Sequence, residues 1–189
     1  MTRIIAGLAG GRRIETPRGE ATRPTSDRVR EALFGALEAR GVLDGAVVLD
    51  LFAGSGALGL EAASRGAAEV VLVDSSRQAV DVARRNAAAL GLGGVRVVHA
   101  PAHRYLAVRR TDERPADVAV LDPPYGVSEE ALAQVLHALD AGRLARGAVV
   151  VVERDARSPE PRWPRGWISE GARRYGDTAL WTAAARLRA

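Results

Sequence analysis

From residue 46 onward the chain alternates nearly unbroken apolar runs with longer amphipathic stretches. The runs are 46–52 (AVVLDLF), 68–74 (AEVVLVD), 95–100 (VRVVHA), 116–122 (ADVAVLD) and 146–153 (RGAVVVVE). Valine-rich runs of this length without polar alternation predict strands covered on both faces. Helical spacing fills the gaps at 57–66 (ALGLEAASRG), 76–92 (SRQAVDVARRNAAALGL), about 102–108 and 128–142 (SEEALAQVLHALDAG), the second starting beside Ser75 and Ser76. Strands alternating with helices predict an α/β sheet built from right-handed crossovers.

The two ends break this rhythm. Residues 3–6 (RIIA) and 11–16 (GRRIET) predict a small hairpin around the turn GLAGG. A helix follows to about residue 40: Thr25 or Ser26 caps it, Asp27 sits in its first turn, Val29, Leu33 and Leu37 make its stripe, and Gly41 stops it. After a proline-rich loop (SPEPRWPRG), the stretch 167–184 predicts two antiparallel strands around Gly176 and Asp177, added to the sheet edge. The expected organisation is one α/β domain, residues 25–189, with an N-terminal hairpin extension, residues 1–24.

Composition narrows the picture. The chain has 189 residues, 47% of them hydrophobic, enough for a sizeable core, and no cysteine. A disulfide framework, thiolate metal sites and cysteine nucleophiles are thereby excluded. The histidines at 99, 103 and 137 lack ligand spacing, so no metal is expected. Neither a 20-residue apolar span nor a signal-peptide h-region is apparent, which makes the cytoplasm the expected location. The net charge of +4 is confined to the first 30 residues, where Arg3, Arg12, Arg13, Arg18, Arg23, Arg28 and Arg30 face only three acids. A local excess of that kind suits a polyanion such as RNA. Arg12 and Arg13, adjacent in a strand, should leave opposite faces.

The chemistry gathers where strands end. In an open parallel sheet, ligands bind beyond the carboxyl ends of the strands, and Asp50, Gly54, Gly56, Asp74 and Asp122 all fall there. The stretch DLFAGSGALG also satisfies G-x-G-x-x-G, with Asp74 twenty residues past the first glycine, so a dinucleotide is one reading. Charge argues for the other. A pyrophosphate wants a bare helix N-terminus, whereas Asp50 precedes this loop and Glu61 follows it. S-adenosylmethionine brings a sulfonium and an ammonium, which acids stabilise. Its contacts are expected from Asp50, Phe52, Ala53, Gly54 and Gly56 in the loop, from Asp74 (ribose hydroxyls) and Ser75, and from Ala102.

The fourth run ends in Asp122-Pro123-Pro124-Tyr125. Two prolines remove N–H donors and impose extended geometry, leaving acceptors: the Asp122 carboxylate and the Pro123 carbonyl. An exocyclic amine on a base is planar and weakly nucleophilic. Acceptors that grip its hydrogens orient its lone pair, and with a neutral thioether leaving, alignment does most of the work. Tyr125 can stack on a base taken out of its helix. Asp122, Pro123 and Tyr125 are therefore the candidate catalytic residues.

DLFAGSGALGLEA, LDPPY and RPTSDRVREALF together resemble the RsmD family, the 16S rRNA (guanine(966)-N(2))-methyltransferases. The resemblance runs from RIIAG to RYGDTALW. It implies a class I S-adenosylmethionine-dependent methyltransferase fold (Rossmann-like) with a seven-stranded, mostly parallel sheet. It implies action on guanine N2 in 16S rRNA within a 30S subunit or late assembly intermediate, its N-terminal arginines on RNA; a monomer is expected, since nothing in the sequence suggests an obligate dimer. After the third strand, HAPAH offers no acid for the adenine amine, leaving the backbone around 100–102. Three other readings stay open: an N6-adenine DNA methyltransferase, an NAD-dependent oxidoreductase and a non-catalytic RNA-binding module.

Overall fold

The computed structural model describes residues 2–17, 27–108 and 113–185. Its elements are β1 (Thr2–Arg3), β2 (Arg13–Ile14), α1 (Asp27–Ala39), β3 (Val47–Leu51), α2 (Ala57–Ser64), β4 (Glu69–Asp74), α3 (Arg77–Leu90), β5 (Val95–His99), α4 (Ala102–Ala107), β6 (Ala116–Leu121), α5 (Glu129–Asp140), β7 (Leu144–Asp155), β8 (Ile168–Tyr175) and β9 (Thr178–Ala184). The expected caps Thr25 and Ser26, the arginines at 18 and 23, and the boundary at residue 24 lie outside the described residues.

Seven strands form one sheet in the order β5-β4-β3-β6-β7-β9-β8. Only β9 runs antiparallel to both of its neighbours; the inner pairs are parallel. Chain order reverses at β3 and β6, whose carboxyl ends therefore open a crevice. The unbroken apolar runs have their physical reason in two cores. Val48, Val70, Leu72, Val118 and Val120 pack on the face that carries α1, α2 and α3. Leu49, Leu51, Val73, Leu121, Val150 and Val152 pack on the other, against Leu132, Leu136 and Leu139 of α5. Helix starts follow local chemistry: the Ser76 and Ser128 hydroxyls accept from Ala79 and Ala131 N–H, both at 3.2 Å.

The N-terminal hairpin is shorter than its hydrophobic pattern predicts. Past β1, Ile4 N–H still donates to the Arg12 carbonyl at 2.9 Å and Gly11 N–H to the Ile4 carbonyl at 2.8 Å, and then Ile5 and Ala6 donate their N–H groups to the Glu61 carboxylate at 2.7 and 3.1 Å. Ser64 Oγ accepts from Ala9 N–H and donates to the Ala6 carbonyl. Gly7, at φ 80°, lies so close that a Cβ there would sit 1.9 Å from the Ser64 carbonyl oxygen. Ile4, Ala9 and Ile14 join the α1–α3 core, so the hairpin is an integral part of that layer.

Candidate active site

The loop after β3 is built from strained and glycine backbone. Phe52, at φ 66°, is the one positive-φ residue other than glycine among the described residues, and Gly54 and Gly56 follow at φ 54° and 81°. Holding a phenylalanine in that region costs about 1–3 kcal/mol, a strain that surrounding contacts must hold in place. They do: Ala53 N–H donates to the Val73 carbonyl at 3.0 Å and Gly56 N–H to the Ala53 carbonyl at 2.7 Å. Gly59 is required by packing, since a Cβ there would lie 2.2 Å from Leu72 Cδ2. Asn86, buried on α3, donates to the carbonyls of Ser55 and Glu15, both at 2.9 Å, and accepts from Glu15 N–H at 2.8 Å. One side chain thus ties the loop to the N-terminal segment.

Acids surround this loop. Asp50 is almost wholly buried, and one carboxylate oxygen accepts from Gly59 N–H at 2.8 Å. Its other oxygen, Oδ1, is buried without a partner. Burial pushes the Asp50 carboxyl up to about 8, the Gly59 hydrogen bond pulling against this and the charges of Asp122 and Asp74 adding to it. Burial thus favours the neutral carboxyl of Asp50 where no cation faces it. Asp74 accepts from Gly54 N–H at 2.8 Å and from Ser76 N–H at 2.7 Å, one through each oxygen, and retains lone pairs on both.

Register aligns the rest. Leu51 lies opposite Val73 on β4 and Leu121 on β6, and Leu121 lies opposite Val152 on β7. One step further, Asp74, Phe52, Asp122 and Glu153 form a single row across four strands. Strand spacing puts Asp74 and Asp122 about 10 Å apart across that row. By alternation the acids of the row face the α1–α3 side, as Asp50 does. Beyond Asp122, Pro123 is buried while Tyr125 is 67% exposed. On the opposite side Arg154, whose side chain is 9% exposed, pairs with Glu129 at the start of α5.

The remaining expected residues divide between the crevice and the framework. Ser75 is exposed, and its carbonyl meets His99 Nε2 at 3.0 Å; Ala100 N–H donates to the Asp74 carbonyl at 2.9 Å, and Ala102 opens α4 behind Pro101. Glu61 does not face the loop. Fully buried, it binds the N-terminal hairpin and Arg65, so it has no part in the charge argument against a pyrophosphate. Arg3 and Arg13 are registered opposite each other and exposed, with Arg3 also paired to Asp27 at 3.2 Å. Arg28 is exposed on α1. Arg12 points the other way and donates to the carbonyls of Leu90 and Ala89, capping α3. Asn86 and Ser64 escaped the sequence reading, and Glu61 entered it only as a charge beside the loop, although each is a polar residue on an apolar helix stripe, which is the signal that marks a buried tether.

A seven-stranded sheet of this order, with an acid-rimmed glycine loop after its first central strand and an Asp-Pro-Pro-Tyr turn beside it, is the class I methyltransferase fold. The chain belongs to the RsmD family: the family model described as conserved hypothetical protein 95 matches residues 2–184. It is 41% identical over 167 residues to ribosomal RNA small subunit methyltransferase D of Escherichia coli (strain K12), with 87% of this chain and 80% of that protein covered. Identity to the putative rRNA methyltransferase YlbH of Bacillus subtilis (strain 168) is 33% over 180 residues, covering 94% and 96%. Among solved structures, a putative methyltransferase from Escherichia coli, yhhF, superposes with a TM-score of 0.87 at 34% identity, with 98% of each chain covered.

Proposed function

We propose that the protein methylates the exocyclic N2 amine of a guanine in 16S rRNA, at the family position 966, within the 30S subunit or a late assembly intermediate. The observation that carries this reading is the acid row, with Asp74 and Asp122 on one face of the sheet above the unpartnered Oδ1 of Asp50. Asp74 and Asp122, beside a buried Asp50 carboxyl that a nearby cation would draw into its ionised form, suit a cationic ligand over a pyrophosphate. S-adenosylmethionine fits: its ammonium would take the free Asp50 oxygen, Asp74 and Ser75 the ribose end, Phe52, Ala53, Gly54 and Gly56 the backbone cradle, and Ala102 the adenine side. When bound, it supplies an electrophilic methyl on a sulfonium.

The chain's own residues do the rest. The Asp122 carboxylate and the Pro123 carbonyl accept the two amine hydrogens, which turns the nitrogen lone pair toward the crevice and fixes its direction. Tyr125 offers an open ring face to an everted base. Asp122 later holds the proton that the nitrogen sheds, a transfer that needs no strong base once the amine has become cationic. Arg3, Arg13 and Arg28 would meet phosphates, joined by Arg18 and Arg23, and Arg12 serves the fold. Among the described residues no helix is long and apolar enough to cross a membrane; the proposed setting is the cytoplasm, with the protein a monomer.

The test is transfer of labelled methyl from S-adenosylmethionine to 30S subunits, naked 16S rRNA and DNA, followed by nucleoside mass spectrometry. N2-methylguanosine formed at a single 16S position, best on particles, is the expected result. N6-methyladenosine in DNA, or no transfer to any substrate, would overturn the reading.

A further inference from the structure

We infer that Glu153 determines base specificity by accepting the N1–H of the target guanine; the inference rests on the guanine-N2 reading above. Glu153 follows Val152 on β7, and Val152 lies opposite Leu121 on β6, so Glu153 stands one strand from Asp122 at the same level. Adjacent strands are about 4.8 Å apart, wider than the separation of N1 and N2 on a guanine, so the two side chains must converge to meet one base edge. Val149 and Val151 face the α1–α3 core and Val150 and Val152 the other, while Arg154 reaches α5. Alternation therefore turns Glu153 to the same side as Asp122. Its backbone is held from both flanks, because β7 also pairs with β9 and sets Glu153 opposite Leu180. The side chain is half-buried and already engaged in another interaction, which leaves a carboxylate with four acceptor positions ample capacity.

Acceptor count decides what base such a site reads. Guanine presents three donors in a row on its Watson–Crick edge, two on N2 and one on N1. Asp122, the Pro123 carbonyl and Glu153 offer three acceptors. Adenine places an acceptor, its N1, beside the amine, and cytosine places N3 there. Either would set a lone pair against the Glu153 carboxylate, an unpaired and repulsive contact in a confined site. Asp122 and Pro123 alone grip any exocyclic amine; the third acceptor on β7 is what selects guanine.

The experiment uses 30S particles reconstituted with 16S rRNA carrying guanine or 2-aminopurine at the methylated position. 2-Aminopurine keeps the N2 amine but has an acceptor at N1. Wild-type protein is expected to favour guanine by about 100-fold in kcat/KM. E153Q, whose amide N–H can donate to that N1, should bring the ratio within about tenfold of unity, and E153D should keep the guanine preference. Because each ratio is internal to one variant, loss of folded protein does not alter it. E153Q with the wild-type ratio, or with no activity on either substrate while S-adenosylmethionine still binds, overturns the role of Glu153 alone. Wild-type protein that methylates a base other than guanine overturns the parent reading and this inference with it.

Discussion

Asp50 accepts the Gly59 N–H at 2.8 Å through one carboxylate oxygen and keeps the other buried with no partner. The bond fastens β3 to α2 through the loop's third glycine, and the orphan oxygen is left buried beside it. Structure and binding thus share one side chain. Burial raises this carboxyl from 3.8 to about 8. In the ligand-free protein the protonated form is the stable one, so Asp50's contribution to stability is complete below about pH 4 and is lost as pH rises through about 8. A cationic ligand reverses the preference. S-adenosylmethionine affinity should therefore climb between pH 6 and 8, with proton release visible in calorimetry run in buffers of different ionisation enthalpy. Asp50→Asn should retain the Gly59 bond, bind more weakly and lose that pH dependence. A wild-type affinity that is flat across this range would exclude ionisation of Asp50 on binding.

Asp74→Ala should act on the cofactor, not on the chemistry. The variant loses a charged acceptor for ribose hydroxyls and releases the Gly54 and Ser76 N–H groups. A loss of about 1.5–3 kcal/mol corresponds to a roughly ten- to hundredfold rise in Kd. Saturating S-adenosylmethionine should restore most of kcat. Unchanged affinity by calorimetry would mean that the ribose lies elsewhere.

Asp122→Ala should show the opposite pattern, with methyl transfer abolished and S-adenosylmethionine affinity close to wild type. Tyr125→Ala should be milder, since stacking on one base is worth about 1–3 kcal/mol. Single-turnover transfer on 30S particles, beside cofactor titration, separates the two. An Asp122 variant that loses cofactor affinity in step with activity would put that carboxylate on the cofactor.

Much of this site was legible in the chain because its groups sit at the ends of strongly patterned strands. Valine runs predict the strands, glycine spacing the loop, and Asp74 and Asp122 fall at run ends as strand termini require. The terminal hairpin was legible for the same reason: β8 and β9 turn at Gly176 and Asp177. What stayed hidden depends on contacts between residues far apart in the chain. The pairing of Glu61 with Ile5 and Ala6 spans more than fifty residues, and no local pattern encodes it. The same holds for Asn86 and Ser55, and for the β6–β7 register that puts Glu153 beside Asp122. Strand alternation sends Arg12 and Arg13 to opposite faces, and only tertiary structure shows what each face meets.

That division can be measured. Arg12 donates to two carbonyls at the end of α3, where a cation also meets the negative end of the helix dipole. Arg12→Ala should lower stability by about 1 kcal/mol and shift the thermal midpoint by a few degrees. Arg13 is exposed and lies opposite Arg3, so Arg13→Ala should leave stability unchanged and weaken binding to 30S particles. The salt dependence of that binding should fall in slope by about 0.7–0.9 for each phosphate that the variant no longer neutralises. Identical salt slopes for wild type and Arg13→Ala would remove Arg13 from the RNA surface.

Asn86 links the N-terminal segment to the active-site loop, and its removal should be felt at both ends. The side chain is 3% exposed and makes three hydrogen bonds, to Glu15 N–H, the Glu15 carbonyl and the Ser55 carbonyl. Asn86→Ala strands those part-buried groups, which should cost about 1–3 kcal/mol of stability. Global destabilisation alone would leave cofactor binding intact in the folded fraction. Loss of the tether should also free Ser55, between the two positive-φ glycines at 54 and 56, and so raise the Kd for S-adenosylmethionine. Hydrogen exchange on the ligand-free protein separates these outcomes. Faster exchange confined to the segments around residues 5–16 and 53–59, with β6 and β7 unchanged, is expected of a tether. Uniform acceleration across the sheet, with wild-type cofactor affinity, would reduce Asn86 to an ordinary core residue.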